Sequence, residues 1–300
     1  MSSAGGAPDK GTILRGDPRL PSGRPSSRIL APLRAEGAKG VAIAVVSTIV
    51  VFTLIVFAVV RSENWPEVRR AFFDWGEIRS TLPDIAEKFL RNVRYFLIAE
   101  VFILIIAMVL AVLRSLPGPV FLPLRLLAIV YTDFFRGIPT ILVVYILGFG
   151  VPSLDLAGVP RSPTFWGVVA LILSYSAYVA EVYRAGIESV HPSQVAAARS
   201  LGLSRLQSLR HVVIPQAVRR VIPPLLNDFI GLQKDTALVA FVVVVPEAFK
   251  QAQIYQARDF NFAPLVVAAA LFLVITVPLT RVVDWLVAKE QRKRMGGARL

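Results

Sequence analysis

The sequence predicts an all-α integral membrane protein with about six transmembrane helices. Hydrophobic residues make up 55% of the 300 residues and charged residues only 18%, and the mean hydropathy is +0.62. Several apolar runs reach the roughly 20 residues that a helix needs to cross the hydrocarbon core. The chain has no cysteine, which excludes disulfides and thiolate metal sites. A bilayer is therefore the expected environment.

The N-terminal third is expected to hold a tail, one anchor helix and an outer loop. Residues 1–39 are rich in Gly, Pro, Ser and Arg and predict a disordered basic cytoplasmic tail. A continuous apolar run from Val41 to Val60 predicts the first transmembrane helix, within 40–61. The mixed-charge stretch 62–91 contains WPEVRRAFFDWGEIR, whose aromatic residues are typical of an interfacial helix in an outer loop.

Residues 92–288 are expected to form the main membrane domain, followed by a basic cytoplasmic tail at 289–300. Two of its five predicted spans are interrupted, one by TDFFRGIP and one by GLQKDT. The lysines and arginines near the membrane ends place both termini in the cytoplasm, and with them the loop 188–216. The five spans are Val93–Leu113, Pro123–Val151, Phe165–Arg184, Val218–Pro246 and Pro264–Leu286.

The loop 188–216 is too long for a simple hairpin and predicts two short helices. Ser193 is expected to cap the first helix, and Gly202 stands where a left-handed C-cap is favoured. Ser204 and Gln207 form the capping-box pattern that opens the second helix, which Pro215 is expected to stop. Periodicity alone leaves open an amphipathic loop that rests on the membrane surface.

The segment AAARSLGLSRLQSLRHVVIPQA resembles the EAA loop of permease subunits of ABC importers, a cytoplasmic helix-turn-helix that docks on the ATPase subunit. The motif's usual glutamate is replaced by Ala196, so docking is expected to depend on shape or on Arg199 and Arg205 meeting acidic groups. The resemblance assigns these ATPase-coupling residues: Ala196, Ala197, Ala198, Arg199, Gly202, Arg205 and Pro215.

Three further segments resemble permeases for polar amino acids, most closely glutamate permeases of actinobacterial type. They are YTDFFRGIPTILVVYILGFGVP, SAYVAEVYRAGIESVHPSQ and PQAVRRVIPPLLNDFIGLQKDTALV. The resemblance implies a five-helix type I ABC importer permease core plus an added N-terminal anchor in a bacterial plasma membrane. It also implies as partners a pair of ABC ATPase subunits, a second permease copy or paralogous permease, an extracytoplasmic substrate-binding protein and the lipid bilayer.

No cofactor is expected on this chain, because the Walker pattern G-x-x-x-x-G-K-[ST] is absent from the sequence. ATP and Mg²⁺ would then belong to the partner ATPase. His191 and His211 lie apart in a polar loop and predict no metal site. The permease itself would have no catalytic residue.

Charged side chains inside spans are costly and usually face a cavity. Because Arg136, Lys234, Asp235 and Thr236 lie at the two interruptions, they are the candidates for a substrate pathway, with an Asp133–Arg136 internal pair as the alternative for Arg136. Glu181 and Arg184 are spaced i, i+3 near a helix end and predict a gating or packing pair.

Three alternative functions stay open at this point. A secondary transporter or channel would be expected to carry inverted repeats, which the sequence does not display. A membrane enzyme would need a clustered site, and neither HExxH nor GxSxG occurs. A scaffold without transport activity would not explain charges beside interrupted helices, and nucleic-acid binding is disfavoured because no basic face is interleaved with aromatics.

Overall fold

A computed structural model describes residues 37–116, 118–242 and 246–296 of the chain. Within these ranges all regular secondary structure is helical, as predicted. The chain divides into two compact units, one up to Trp65 and one from Pro66 onward. Residues 1–36 of the predicted tail 1–39 lie outside the described residues.

The first unit contains α1, Gly37–Val60, which confirms the predicted anchor helix as an element. Its apolar side chains are exposed along its whole length, as a lipid-facing helix requires. The hydroxyls of Ser47 and Thr48 both donate to the Ala44 carbonyl, at 3.0 and 2.7 Å. The two polar side chains are therefore satisfied within the helix, which lowers their cost in hydrocarbon.

The second unit starts at the second residue of α2, Trp65–Phe72, and continues with the 41-residue helix α3, Trp75–Ser115. The Asp74 carboxylate caps α3 by accepting hydrogen bonds from the Gly76 and Glu77 amides at 2.8 and 3.2 Å. Most of the stretch 62–91 is thus helical, and the second span continues a long helix that starts 18 residues before Val93.

The first interrupted span is two helices, α4 at Leu122–Gly137 and α5 at Thr140–Ser153, bent by 102°. The bend falls at Ile138 and Pro139, since proline disfavours a helical conformation in the residue before it. The next span is the unbroken helix α6, Pro163–Glu188, and Ser162 caps its start. The break predicted at TDFFRGIP is therefore confirmed.

The remaining elements follow α6 in the chain. They are α7 at Pro192–Ser200, α8 at Arg205–Ser208, a π-helical turn at Leu209–Val213, α9 at Ile214–Asp235, a 3₁₀ helix at Thr236–Phe241, α10 at Ala248–Asp259 and α11 at Ala263–Gly296. The second interruption lies where α9 gives way to the 3₁₀ helix.

Four helices in the described ranges are long and apolar enough to cross a membrane, and the bent α4–α5 pair makes a fifth candidate. The four are α1, α3, α6 and α11. The remaining predicted span, Val218–Pro246, overlaps α9, but α9 does not meet the same length and composition criterion. The charged residues of α9 account for this: Arg219, Arg220, Asp228, Lys234 and Asp235.

The core of the second unit forms where α3 packs along α6. Small side chains line this contact, with Ala99 and Ala107 on α3 and Ala170 and Ala180 on α6 all fully buried. Small residues let helix backbones approach closely, which is how helices associate in lipid. A second cluster joins the first half of α3 to α10 and α11 around Phe89, whose ring meets the Phe272 ring edge-on at 4.9 Å.

Candidate functional site

The loop between α6 and α9 forms the two helices that the sequence predicts. α7 ends in a Schellman motif, in which the Leu203 amide donates to the Ala198 carbonyl at 3.2 Å and the Gly202 amide donates to the Arg199 carbonyl at 3.0 Å. Gly202 has a φ of +86°, a conformation that costs residues with a Cβ. The predicted left-handed cap is confirmed.

The start of α7 differs from the prediction. The N-cap is His191, whose imidazole Nδ1 accepts a hydrogen bond from the Ser193 amide at 3.2 Å. Ser193 is the second helical residue, two positions past the cap, because Pro192 occupies the first helical position, which proline favours. Its hydroxyl contacts His191 Nδ1 at 2.7 Å instead.

The second helix of the loop starts with the predicted capping box. The Ser204 amide donates to Gln207 Oε1 at 2.8 Å, and the Gln207 amide donates to Ser204 Oγ at 3.3 Å. The helix does not stop at Pro215, contrary to the prediction. The chain passes through the π-helical turn Leu209–Val213 into α9, in which Pro215 occupies the first turn. A proline there costs no helical hydrogen bond, and the wider π turn precedes it.

The loop packs against the ends of α6 and α9 through a small apolar cluster. Val190, Val213 and Ala217 are buried, and Val195 of α7 packs against them. Ala198 is also buried, whereas the neighbouring alanines Ala196 and Ala197 are exposed together with Arg199. The side chain of Arg205 lies outside the described part of the chain.

A cavity of about 790 Å³ lies beside the loop. Its walls come from the last turns of α3, from α6, and from the loop and the first half of α9. The lining is almost entirely apolar, with Ser115 and Tyr183 as its polar side chains. The loop is thus tightly packed on one side and borders open space on another.

Glu181 of α6 is the centre of a charge cluster at the loop end of the bundle. Arg184 donates to it from one turn later in the same helix, with an Nε–Oε2 distance of 3.1 Å. Arg114, at the end of α3, donates through Nη1 to Glu181 Oε2 at 3.0 Å, and Arg136, at the end of α4, lies 3.9 Å from the same oxygen. The predicted Glu181–Arg184 pair is present, and two further arginines join it.

Arg136 therefore faces Glu181 and not Asp133, which is exposed. The other pathway candidates lie elsewhere, at the junction of α9 and the 3₁₀ helix. Asp235 accepts a hydrogen bond from the Tyr175 hydroxyl at 2.9 Å, while Lys234 is exposed. Asp235 and Thr236 are adjacent in the chain. The structure does not place them beside Arg136, which contacts Glu181 instead.

Thr236 is fully buried and belongs to a polar network that links three elements. Its hydroxyl donates to the Gln233 carbonyl at 2.8 Å and accepts from Asn92 Nδ2 of α3 at 3.4 Å. The side-chain oxygen Oδ1 of Asn92 in turn accepts from the Ala248 amide at the start of α10, at 3.1 Å. The end of α9 is therefore tied to α3 and α10 by buried hydrogen bonds.

Sequence reasoning missed Arg114, Asn92 and Tyr175. An arginine at the end of a predicted span is typical of a residue that extends to the headgroups, so nothing local singles out Arg114. Asn92 stands at the predicted membrane boundary, and Tyr175 matches an ordinary bundle aromatic. Among the described residues, no group of three His, Asp or Glu side chains is placed to hold a metal ion.

The chain is similar to known membrane components of transport systems. Residues 106–292 match the family model described as "Binding-protein-dependent transport system inner membrane component". A probable amino-acid ABC transporter permease of Vibrio harveyi is 34% identical over 218 residues, which cover 72% of this chain and 96% of the relative. A probable glutamine ABC transporter permease of Bacillus subtilis is 36% identical over 167 residues, covering 56% of this chain and 76% of the relative.

Two kinds of solved structure share the fold. The crystal structure of an amino acid ABC transporter with histidines superposes with a TM-score of 0.65 at 28% identity, covering 73% of this chain and 98% of that chain. An inward-facing MetNI methionine ABC transporter superposes with a TM-score of 0.55 at 15% identity, covering 69% and 95%. The fold of the second unit is therefore that of known importer permeases.

Proposed function

Because the chain belongs to the family of binding-protein-dependent transport system inner membrane components, we propose that it is the permease subunit of an ABC importer that carries a polar amino acid. The family match and the relatives support the permease assignment, and their printed names support the substrate class. Within that class we propose glutamate, glutamine or a similar amino acid as the substrate, and the printed name of one relative supports glutamine. ATP hydrolysis would be carried out by a partner ATPase pair.

The observation that carries the proposal is the geometry of the loop between α6 and α9. Its two short helices are fixed by a Schellman motif and a capping box, so the loop has a defined shape without help from a partner. One face of α7 packs on the chain through Ala198, and the other presents Ala196, Ala197 and Arg199 outward. Small exposed side chains on a rigid helix fit close docking into a cleft of the ATPase.

The remaining partners follow from the same assignment. A second permease, either another copy or a paralogue, would complete the pathway, and an extracytoplasmic substrate-binding protein would deliver the amino acid. The loop and both termini would lie in the cytoplasm, and ATP-driven closure of the ATPases would pass through the loop to α6 and α9. Binding of ATP and Mg²⁺ is assigned to the ATPase alone.

Affinity purification of the tagged chain from its native membranes tests the docking role of the loop. We expect wild-type protein to retain an ATPase and Ala197→Glu to lose it, because a charged side chain would stand in the docking face. Ala257→Glu is the matched control, since Ala257 is an exposed helical alanine on α10. ATPase recovery with all three proteins would contradict the docking assignment.

Uptake into proteoliposomes separates the importer from a secondary transporter. The reconstituted complex should take up the amino acid only when ATP is present on the side of the membrane where the ATPase lies. Uptake by the chain alone without ATP would support the secondary transporter instead. Competition between labelled glutamate and unlabelled glutamine, histidine or arginine tests the choice of substrate.

A further inference from the structure

Arg114 is the most buried of the three arginines around Glu181. Its side chain is 15% exposed, against 28% for Arg184 and 41% for Arg136. Besides Glu181, it donates through Nη1 to the Thr132 hydroxyl of α4 at 3.0 Å. A single guanidinium nitrogen on α3 therefore joins α6 and α4, because its two hydrogens can serve two acceptors.

Polar contacts continue from this point to the start of the loop. Arg184 bonds both Glu181 and Glu188 in the last turns of α6. The next residue, Ser189, accepts a hydrogen bond through its carbonyl from Arg220 of α9. Val190 then packs in the apolar cluster that holds the loop. The end of α6 is thus fixed on one side by Arg114 and on the other by α9.

We propose that Arg114 is a positioning residue for energy coupling: through Glu181 it fixes the end of α6 relative to α3 and α4, so that movement of the loop is transmitted to those helices. The inference rests on the proposed function, in which an ATPase moves the loop. Arg114 touches neither substrate nor ATPase in this scheme and acts through Glu181.

The physical reason lies in the position of the contact. Glu181 stands seven residues before the end of α6, about 10 Å along the helix at 1.5 Å per residue. A contact at that depth makes the last two turns of α6 move together with α3 and α4. Without it, the end of α6 keeps the longer Arg136–Glu181 contact to α4 at 3.9 Å and its contacts with α9 and the loop, but it loses its hydrogen bond to α3, so that loop movement is transmitted less completely to the bundle.

The test is the number of ATP molecules hydrolysed per amino acid carried, measured with the reconstituted complex. We expect the Arg114→Gln complex to assemble normally. Its ratio of ATP hydrolysed to amino acid carried should rise about fivefold or more, because fivefold is near the lower limit of typical allosteric coupling factors. Arg114→Lys keeps the charge and a nitrogen that can donate to both acceptors, and should therefore give a smaller rise. Arg125→Gln is the matched control, because Arg125 lies on α4 and bonds the Gly118 carbonyl outside the cluster.

If the ratio is unchanged in both Arg114 variants while the wild type shows normal uptake, the role proposed for Arg114 is contradicted. The proposed function would not be affected by that result. Failure of both variants to assemble with the ATPase would also contradict the role of Arg114, because Arg114 would then be needed for the structure itself. A wild-type complex without ATP-dependent uptake would contradict the proposed function, which keeps the two failures distinguishable.

Discussion

Gly186 of α6 lies against Val221 of α9 with no room for a side chain: a Cβ at position 186 would fall 2.0 Å from Cγ1 of Val221. The two helices that enter and leave the loop therefore touch backbone to side chain close to the loop. This contact fixes the angle at which α6 and α9 separate, and it makes their packing sensitive to a single methyl group.

We expect Gly186→Ala to destabilise the protein by about 1–3 kcal/mol, because overpacking forces backbone or side-chain shifts. Thermal unfolding of purified protein in detergent measures the effect. Gly137→Ala is the control, since a Cβ there meets nothing within 4 Å. Val221→Ala should restore stability to Gly186→Ala, and equal unfolding temperatures for the two glycine variants would contradict the contact.

The turn of the loop depends on the conformation of Gly202. A Cβ there would meet no neighbour within 4 Å, so the cost of Gly202→Ala comes from φ alone. We expect a loss of roughly 1–2 kcal/mol in loop stability, the cost of a left-handed residue with a Cβ. Gly202→Asn should cost less, because asparagine tolerates this region. Hydrogen exchange of the amides of α7 measures both, and equal exchange in both variants and wild type would contradict the strain argument.

The capping box gives a separate prediction for the second loop helix. Ser204→Ala removes the acceptor of the Gln207 amide and should cost about 1 kcal/mol. The expected result is faster hydrogen exchange across the π-helical turn Leu209–Val213. Ser200→Ala serves as control, since the Ser200 hydroxyl bonds only within α7, to the Ala196 carbonyl at 3.1 Å. Protection unchanged by Ser204→Ala would mean that packing, and not the cap, holds this helix.

Asn92 holds the junction between α9 and α10. Its side chain is 1% exposed, and Asn92→Leu would leave the buried Ala248 amide without its partner. An unpaired buried donor costs about 1–3 kcal/mol, so we expect a lower unfolding temperature and new proteolytic cleavage near the start of α10. Asn227→Leu, at an exposed position of α9, is the control and should leave both unchanged.

The candidate substrate-pathway residues differ in burial and hydrogen bonding, which predicts an order among their effects on uptake. Asp235→Asn should raise the substrate concentration for half-maximal uptake roughly tenfold, the scale of a lost charge-assisted hydrogen bond. Tyr175→Phe should give part of this effect, because the Tyr175 hydroxyl donates to Asp235. Lys234→Gln should change it least, since Lys234 is exposed. Wild-type uptake kinetics in Asp235→Asn would remove Asp235 from the pathway.

The sequence by itself determined the features that depend on residues close together in the chain. Apolar runs predicted the membrane helices, because the cost of burial in lipid is set by composition. Gly202 and the Ser204–Gln207 pair predicted the turn of the loop, because caps are made within a few residues. Even locally the prediction was incomplete: His191 took the cap position expected for Ser193, and a π-helical turn carried the helix past Pro215.

Only the tertiary structure decided which distant side chains meet. Arg114 and Glu181 are 67 positions apart, Asn92 and Ala248 are 156 apart, and Gly186 meets Val221 from another helix. Each of these contacts depends on how the helices cross and at what depth, and helical periodicity fixes the face of a helix but not its neighbour. For the same reason Arg136 lies near Glu181 and not near Asp133.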